Sequence, residues 1–163
     1  MRNVLAGAAA GVAATVPMTM VMETLHERLP GEVRRPLPPR EIAEAVAVKF
    51  GVHGDLSERE MQNLALALHV GYAALTGAAL SAFAPRRTAM GAGVGALFGF
   101  GVWATSYLGW LPVSGVRQPI TYDPVARTGL MIAAHVTWGA AAGLILAGTG
   151  RRPRTFRRDR ARA

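Results

Sequence analysis

The sequence predicts an all-α integral membrane bundle: four transmembrane helices plus a short amphipathic helix in the first outer loop. Three observations carry this expectation. Charged residues make up 17% of the 163, against roughly 25% in soluble domains. Apolar residues make up 51%. Asp, Glu, Lys and Arg are absent from residues 3–22, 61–85, 88–116 and 128–150, and a helix needs about 20 apolar residues to cross a bilayer. An ordinary soluble domain is excluded.

The spans are expected at about 3–22, 61–84, 88–111 and 128–149, with an outer loop at 23–60, so that residues 1–150 form one transmembrane domain. The first run is expected to be retained: it has only Arg2 ahead of it, is longer than a signal-peptide core of about 7–15 residues, and lacks a small-residue cleavage site. Pro17 lies in its second half. Proline has no N–H to donate, which predicts a kink near Ala13–Pro17. Ser57 and Glu60 have the spacing of a capping box ahead of span two. Pro85 and Pro112 follow spans two and three. In the outer loop, Ile42, Val46 and Phe50 recur every four residues after Pro38-Pro39, with Arg40, Glu41, Glu44 and Lys49 on other faces. This predicts an amphipathic helix, closed by Gly51 as C-cap.

Basic residues set the orientation. With both termini cytoplasmic, three short inner segments hold Arg2, Arg86, Arg87 and the tail arginines Arg151, Arg152, Arg154, Arg157, Arg158, Arg160 and Arg162. The much longer outer loops hold the other eight basic residues. The expected location is the bacterial inner membrane. Arg86, Arg87 and the Arg-rich cytoplasmic tail, 151–163, are expected to anchor the topology on anionic headgroups, with no nucleic acid partner. Tyr107, Trp110 and Tyr122 fall where aromatic belt anchors are expected.

Lipid tails are as apolar as leucine, so helices in a bilayer associate through small residues that let backbones approach. Gly7 and Gly11 form one such pair, Gly139 and Gly143 another, and Gly91, Gly95 and Gly99 a ridge. These faces could pack within the bundle, in a homo-oligomer, or against another membrane protein. An internal repeat is also visible: ALHVGYAALTGA at 67–78 and AAHVTWGAAAGL at 133–144 align at an offset of 66 residues. His69 then matches His135, Tyr72 matches Trp138 and Gly77 matches Gly143, at similar depth near the outer leaflet.

A histidine inside a span costs free energy unless it is partnered, so His69 and His135 are the candidate cofactor-binding residues. Two imidazoles at one depth could be axial ligands of a b-type haem, hold a metal or relay protons; the simpler reading is a neutral imidazole bonded to a neighbouring helix. The expectation is no cofactor and no metal, with b-type haem as the lesser reading. Glu23 and His26 have the spacing of a metal motif, but a di-iron bundle needs a second copy. Charge pairing with Arg28, Arg34 or Arg35 is the expectation there, and a polar turn at His53–Asp55. The chain contains no cysteine, which removes thiolate chemistry, and no phosphate loop, nucleophile elbow or dinucleotide fingerprint. No catalytic residue is assigned.

Several motifs resemble the YagU-like family of small bacterial inner-membrane proteins: Pro36-Leu-Pro-Pro-Arg40, the histidine-bearing second span ending Phe83-Ala-Pro85, Gly109-Trp-Leu-Pro112 and His135-Val-Thr-Trp138. The resemblance implies a polytopic inner-membrane protein, linked in one member to acid tolerance, with no established reaction. The functional expectation is a non-enzymatic accessory or structural subunit that packs against other membrane components. The alternatives are a small haem-binding, metal-binding or proton-handling protein using His69 and His135, or the acid-stress role that the resemblance implies.

Overall fold

The structure is a computed structural model that describes residues 4–84 and 88–149. It is all-helical, with no strand among the described residues. Four helices are long and apolar enough to cross a membrane: α1 (Val4–Glu27), α3 (Glu58–Leu80), α4 (Thr88–Val113) and α5 (Val125–Thr149). The amphipathic helix α2 (Pro38–Lys49) lies between α1 and α3. The expected arginine anchors (Arg86, Arg87, Arg151, Arg152, Arg154, Arg157 and Arg158) lie outside the described residues.

Local chemistry explains the helix ends. α1 breaks at Ala14 into Val4–Ala13 and Thr15–Glu27, three residues before Pro17, whose missing N–H leaves the Ala13 carbonyl without its partner. The Thr15 hydroxyl bonds the Val12 carbonyl at 2.7 Å, holding the break. α1 also runs five residues beyond its apolar run, to Glu27, and Arg34 folds back to donate to the Glu27 and Leu29 carbonyls at 2.7 and 3.0 Å. Arg34, one of the three arginines expected to pair with the charges here, instead caps these orphan carbonyls. Ser57 and Glu60 form the reciprocal capping box at the start of α3. α3 ends at Leu80, before the Pro85 stop, because Ser81 to Phe83 bond back to carbonyls three residues earlier in tight turns.

The buried residues of α2 are Pro38, Ala43 and Ala47, and Ala43 and Ala47 pack on Met61 and Ala65 of α3. Small residues permit the close approach, so Ile42 and Val46 face sideways into the bundle and Phe50, expected on the apolar stripe, is 76% exposed beyond the helix end. Gly51 has φ +72°, and the Val52 amide reaches back to the Ala47 carbonyl at 3.0 Å, a Schellman closure that favours glycine.

The glycine faces pack inside the molecule. A methyl group added at Gly11 would lie 2.1 Å from the Ala73 carbonyl oxygen, and one at Gly7 would lie 2.6 Å from that of Gly77. In the other pair of helices, methyl groups at Gly91, Gly95 and Gly99 would meet the carbonyl oxygens of Gly143, Gly139 and His135 at 2.7, 2.0 and 2.1 Å. The repeat seen in sequence reappears in these contacts. Gly11 meets Ala73 as Gly95 meets Gly139, and Gly7 meets Ser81 as Gly91 meets Ala147. The α1–α3 pair and the α4–α5 pair are thus two antiparallel units with the same glycine-mediated seam.

The two units join unequally. α1 lies along α5, whereas the equivalent contact, between α3 and α4, is sparse. Trp138 crosses the first seam, donating from Nε1 to the Gly11 carbonyl at 2.9 Å. Its counterpart Tyr72 crosses the second, pairing with the Ser106 hydroxyl at 2.9 Å and packing on Trp110 with centroids 5.9 Å apart.

Candidate functional site

The spread between α3 and α4 leaves a chamber of about 450 Å³, and both sequence-selected histidines line it. α1 contributes Met18 and Met22, α4 contributes Val102, Ser106, Tyr107 and Trp110, and α5 contributes Met131, His135 and Trp138. Pro38, Pro39, Ile42 and Val46 of α2 close one end. No Asp, Glu, Lys or Arg is among the lining residues.

The two imidazoles are held differently. His135 Nδ1 lies 2.8 Å from the Met131 carbonyl oxygen, and a carbonyl can only accept, so Nδ1 carries the proton. In a neutral ring this leaves Nε2 with a free lone pair. The ring edge meets Tyr107 at 5.8 Å between centroids. His69 Nε2 is buried without a hydrogen-bond partner. The helix-to-helix bond expected of the simpler histidine reading is thus replaced at His135 by a bond to its own helix. Among the described residues, no three of His, Cys, Asp and Glu group as a metal site.

The signal that positions Tyr107 is absent from hydropathy. Residues Thr105–Trp110 form a π-helical turn, with Gly109 at φ −113°, ψ −105°. Such a turn inserts one residue into the helix and rotates the residues beyond it. Tyr107, expected at the bilayer interface, is instead buried at 4% exposure, while Trp110 and Tyr122 are exposed.

Above the chamber, on the side of α2, lies a charge cluster that sequence reading missed because its members come from two loops and two helix starts far apart in the chain. Arg127, only 1% exposed, donates to Glu41 Oε1 at 2.7 Å and to the carbonyls of Arg35 and Pro36 at 3.2 and 2.7 Å. Arg117 forms a fork onto Asp123 at 2.7 and 3.2 Å, lies 3.5 Å from Glu41, and sits 4.9 Å over the Tyr107 ring. Burial works against the Arg117 charge, but the Asp123 hydrogen bond and the nearby carboxylates outweigh it and raise its pKa above the ordinary value. Two guanidinium groups and two carboxylates balance, as buried charges must. Lys49 bonds the Ser114 carbonyl at 3.0 Å, and Arg40 reaches Glu58 at 2.8 Å. These bonds tie α2 down over the chamber at both ends. Pro36 and Arg40, within the motif that carries the family resemblance, are thus parts of this latch.

Comparison with protein families, curated proteins and solved structures finds no match to the chain.

Proposed function

We propose that this is a membrane-embedded binding protein that holds a small molecule in the chamber shared by His69 and His135. One observation carries the reading: two histidines 66 residues apart, on different helices, line a single cavity of about 450 Å³, a size ordinary for small-molecule sites. The accessory-subunit reading drew on glycine faces open to partners, and the chain's own helices occupy those faces. The family resemblance adds an inner-membrane setting, in which the α2 end faces outward.

Native mass spectrometry of protein taken from its own membranes in mild detergent tests the reading. The expected result is a bound small molecule, diminished in a His69→Phe variant that fills the chamber. A ligand-free protein whose melting temperature does not respond to a lipid extract of the same membranes would refute it.

A b-type haem is the second reading. It is favoured by the His135 Nδ1–H bond to a backbone carbonyl, which fixes the ring as such bonds fix iron-ligating histidines. A Soret band in freshly purified protein, lost in His135→Phe, supports it; a colourless preparation removes it.

A further inference from the structure

The broken symmetry of the bundle closes the chamber at the α2 end and leaves it open along one helix seam. The α2 end is shut by the Arg127–Glu41 and Arg117–Asp123 pairs, in which every charge has a partner. The open side is the α3–α4 seam. There the lining residues Leu75 and Trp110 are 68% and 42% exposed, and a methyl group added at Gly71 meets nothing within 4 Å. These residues belong to helices apolar enough to span a membrane, so the opening faces hydrocarbon.

The lining narrows the chemistry. With no cation facing the chamber, a carboxylate or phosphate would be desolvated without a partner; with no carboxylate facing it, a cation fares no better. The head of the ligand is therefore uncharged. His135 Nε2 offers a lone pair and needs a donor, and His69 Nε2 lacks a partner. Around them stand the rings of Tyr72, Tyr107 and Trp138, surfaces that favour a flat aromatic head.

Resting on the proposed binding function, we infer that the chamber takes an uncharged, membrane-dissolved hydroxy-aromatic molecule of the hydroquinone class, which enters sideways between α3 and α4 and donates a hydroxyl hydrogen bond to His135 Nε2. Its apolar tail stays in the seam beside Leu75.

The test uses the full chain in lipid nanodiscs under anaerobic conditions, titrated with decyl-hydroquinone and with its dimethyl ether, which keeps ring and tail but has no hydroxyl. Quenching of tryptophan fluorescence reports binding. The hydroquinone is expected to bind about 10-fold more tightly than the ether, the order of one hydrogen bond made or left unmade. A His135→Phe variant is expected to erase the difference. Gly71→Phe, at a position where an added Cβ meets nothing within 4 Å, places a ring at the open seam and is expected to slow association at least several-fold while leaving the melting temperature near that of the parent. Equal affinity for the two probes overturns the proposed head group, and an unchanged association rate in Gly71→Phe overturns the route. Failure of both probes to bind a protein that native mass spectrometry shows loaded refutes this inference alone; failure with a protein also shown empty removes the binding reading with it.

Discussion

Replacing Gly95 by alanine asks whether the α4–α5 seam is set by backbone contact. The added methyl would sit 2.0 Å from the Gly139 carbonyl oxygen and 2.9 Å from its carbon, whereas ordinary van der Waals contact begins at 3.4 Å. The obstacle is backbone, which cannot swing aside as a side-chain tip can. The helices must therefore separate along a seam that also holds Gly91 and Gly99, and overpacking of this kind costs about 1–3 kcal/mol. Alanine is the better helix former by about 1 kcal/mol, so the net change runs from nearly none to a loss of about 2 kcal/mol, and Gly95→Ala should fall about 1–3 kcal/mol below a variant with the same propensity gain and no clash. Gly93→Ala is the matched control: its methyl meets nothing within 4 Å, so it keeps the propensity gain without the clash. Reversible unfolding in mixed detergent micelles, followed by tryptophan fluorescence, measures both variants. Gly95→Ala as stable as Gly93→Ala would refute the claim that backbone contact closes this seam.

Other perturbations separate the latch from the seams. Glu41→Ala leaves the buried Arg127 guanidinium with only carbonyl partners, a loss of about 3 kcal/mol for a broken buried pair. It should expose the chain around α2 to limited proteolysis, and unchanged digestion would exclude the latch. Trp138→Phe removes the bond to the Gly11 carbonyl, for a loss of about 1 kcal/mol in the same unfolding assay. Gly51→Ala puts a Cβ on a residue at φ +72° and should cost about 1 kcal/mol with no effect on ligand binding. Tyr72→Phe frees the Ser106 hydroxyl across the open seam; faster uptake of a tailed probe, with stability changed by about 1 kcal/mol or less, is the expected result in stopped-flow quenching.

What could be read from sequence was whatever depends on one stretch of chain at a time. Four charge-free runs predict four long apolar helices, because an amide in hydrocarbon must be satisfied within its own segment. Pro17 predicts the break in α1, and Ser57 with Glu60 predicts the start of α3, since both effects act within one turn. The offset of 66 residues pointed to paired histidines, and it reappears in the glycine contacts because a repeated small-residue face finds a repeated partner. Residues whose role depends on distant chain segments were invisible. Tyr107 was expected at the interface from its place at the end of its span, but it lies within a π-helical turn and its ring is buried in the bundle. Arg127 and Glu41, 86 positions apart, look like ordinary loop charges until folding removes their water and makes each indispensable to the other. The chamber itself is a property of unequal seams: two like units could have closed symmetrically, and only tertiary packing decided that α1 and α5 would meet while α3 and α4 stayed apart.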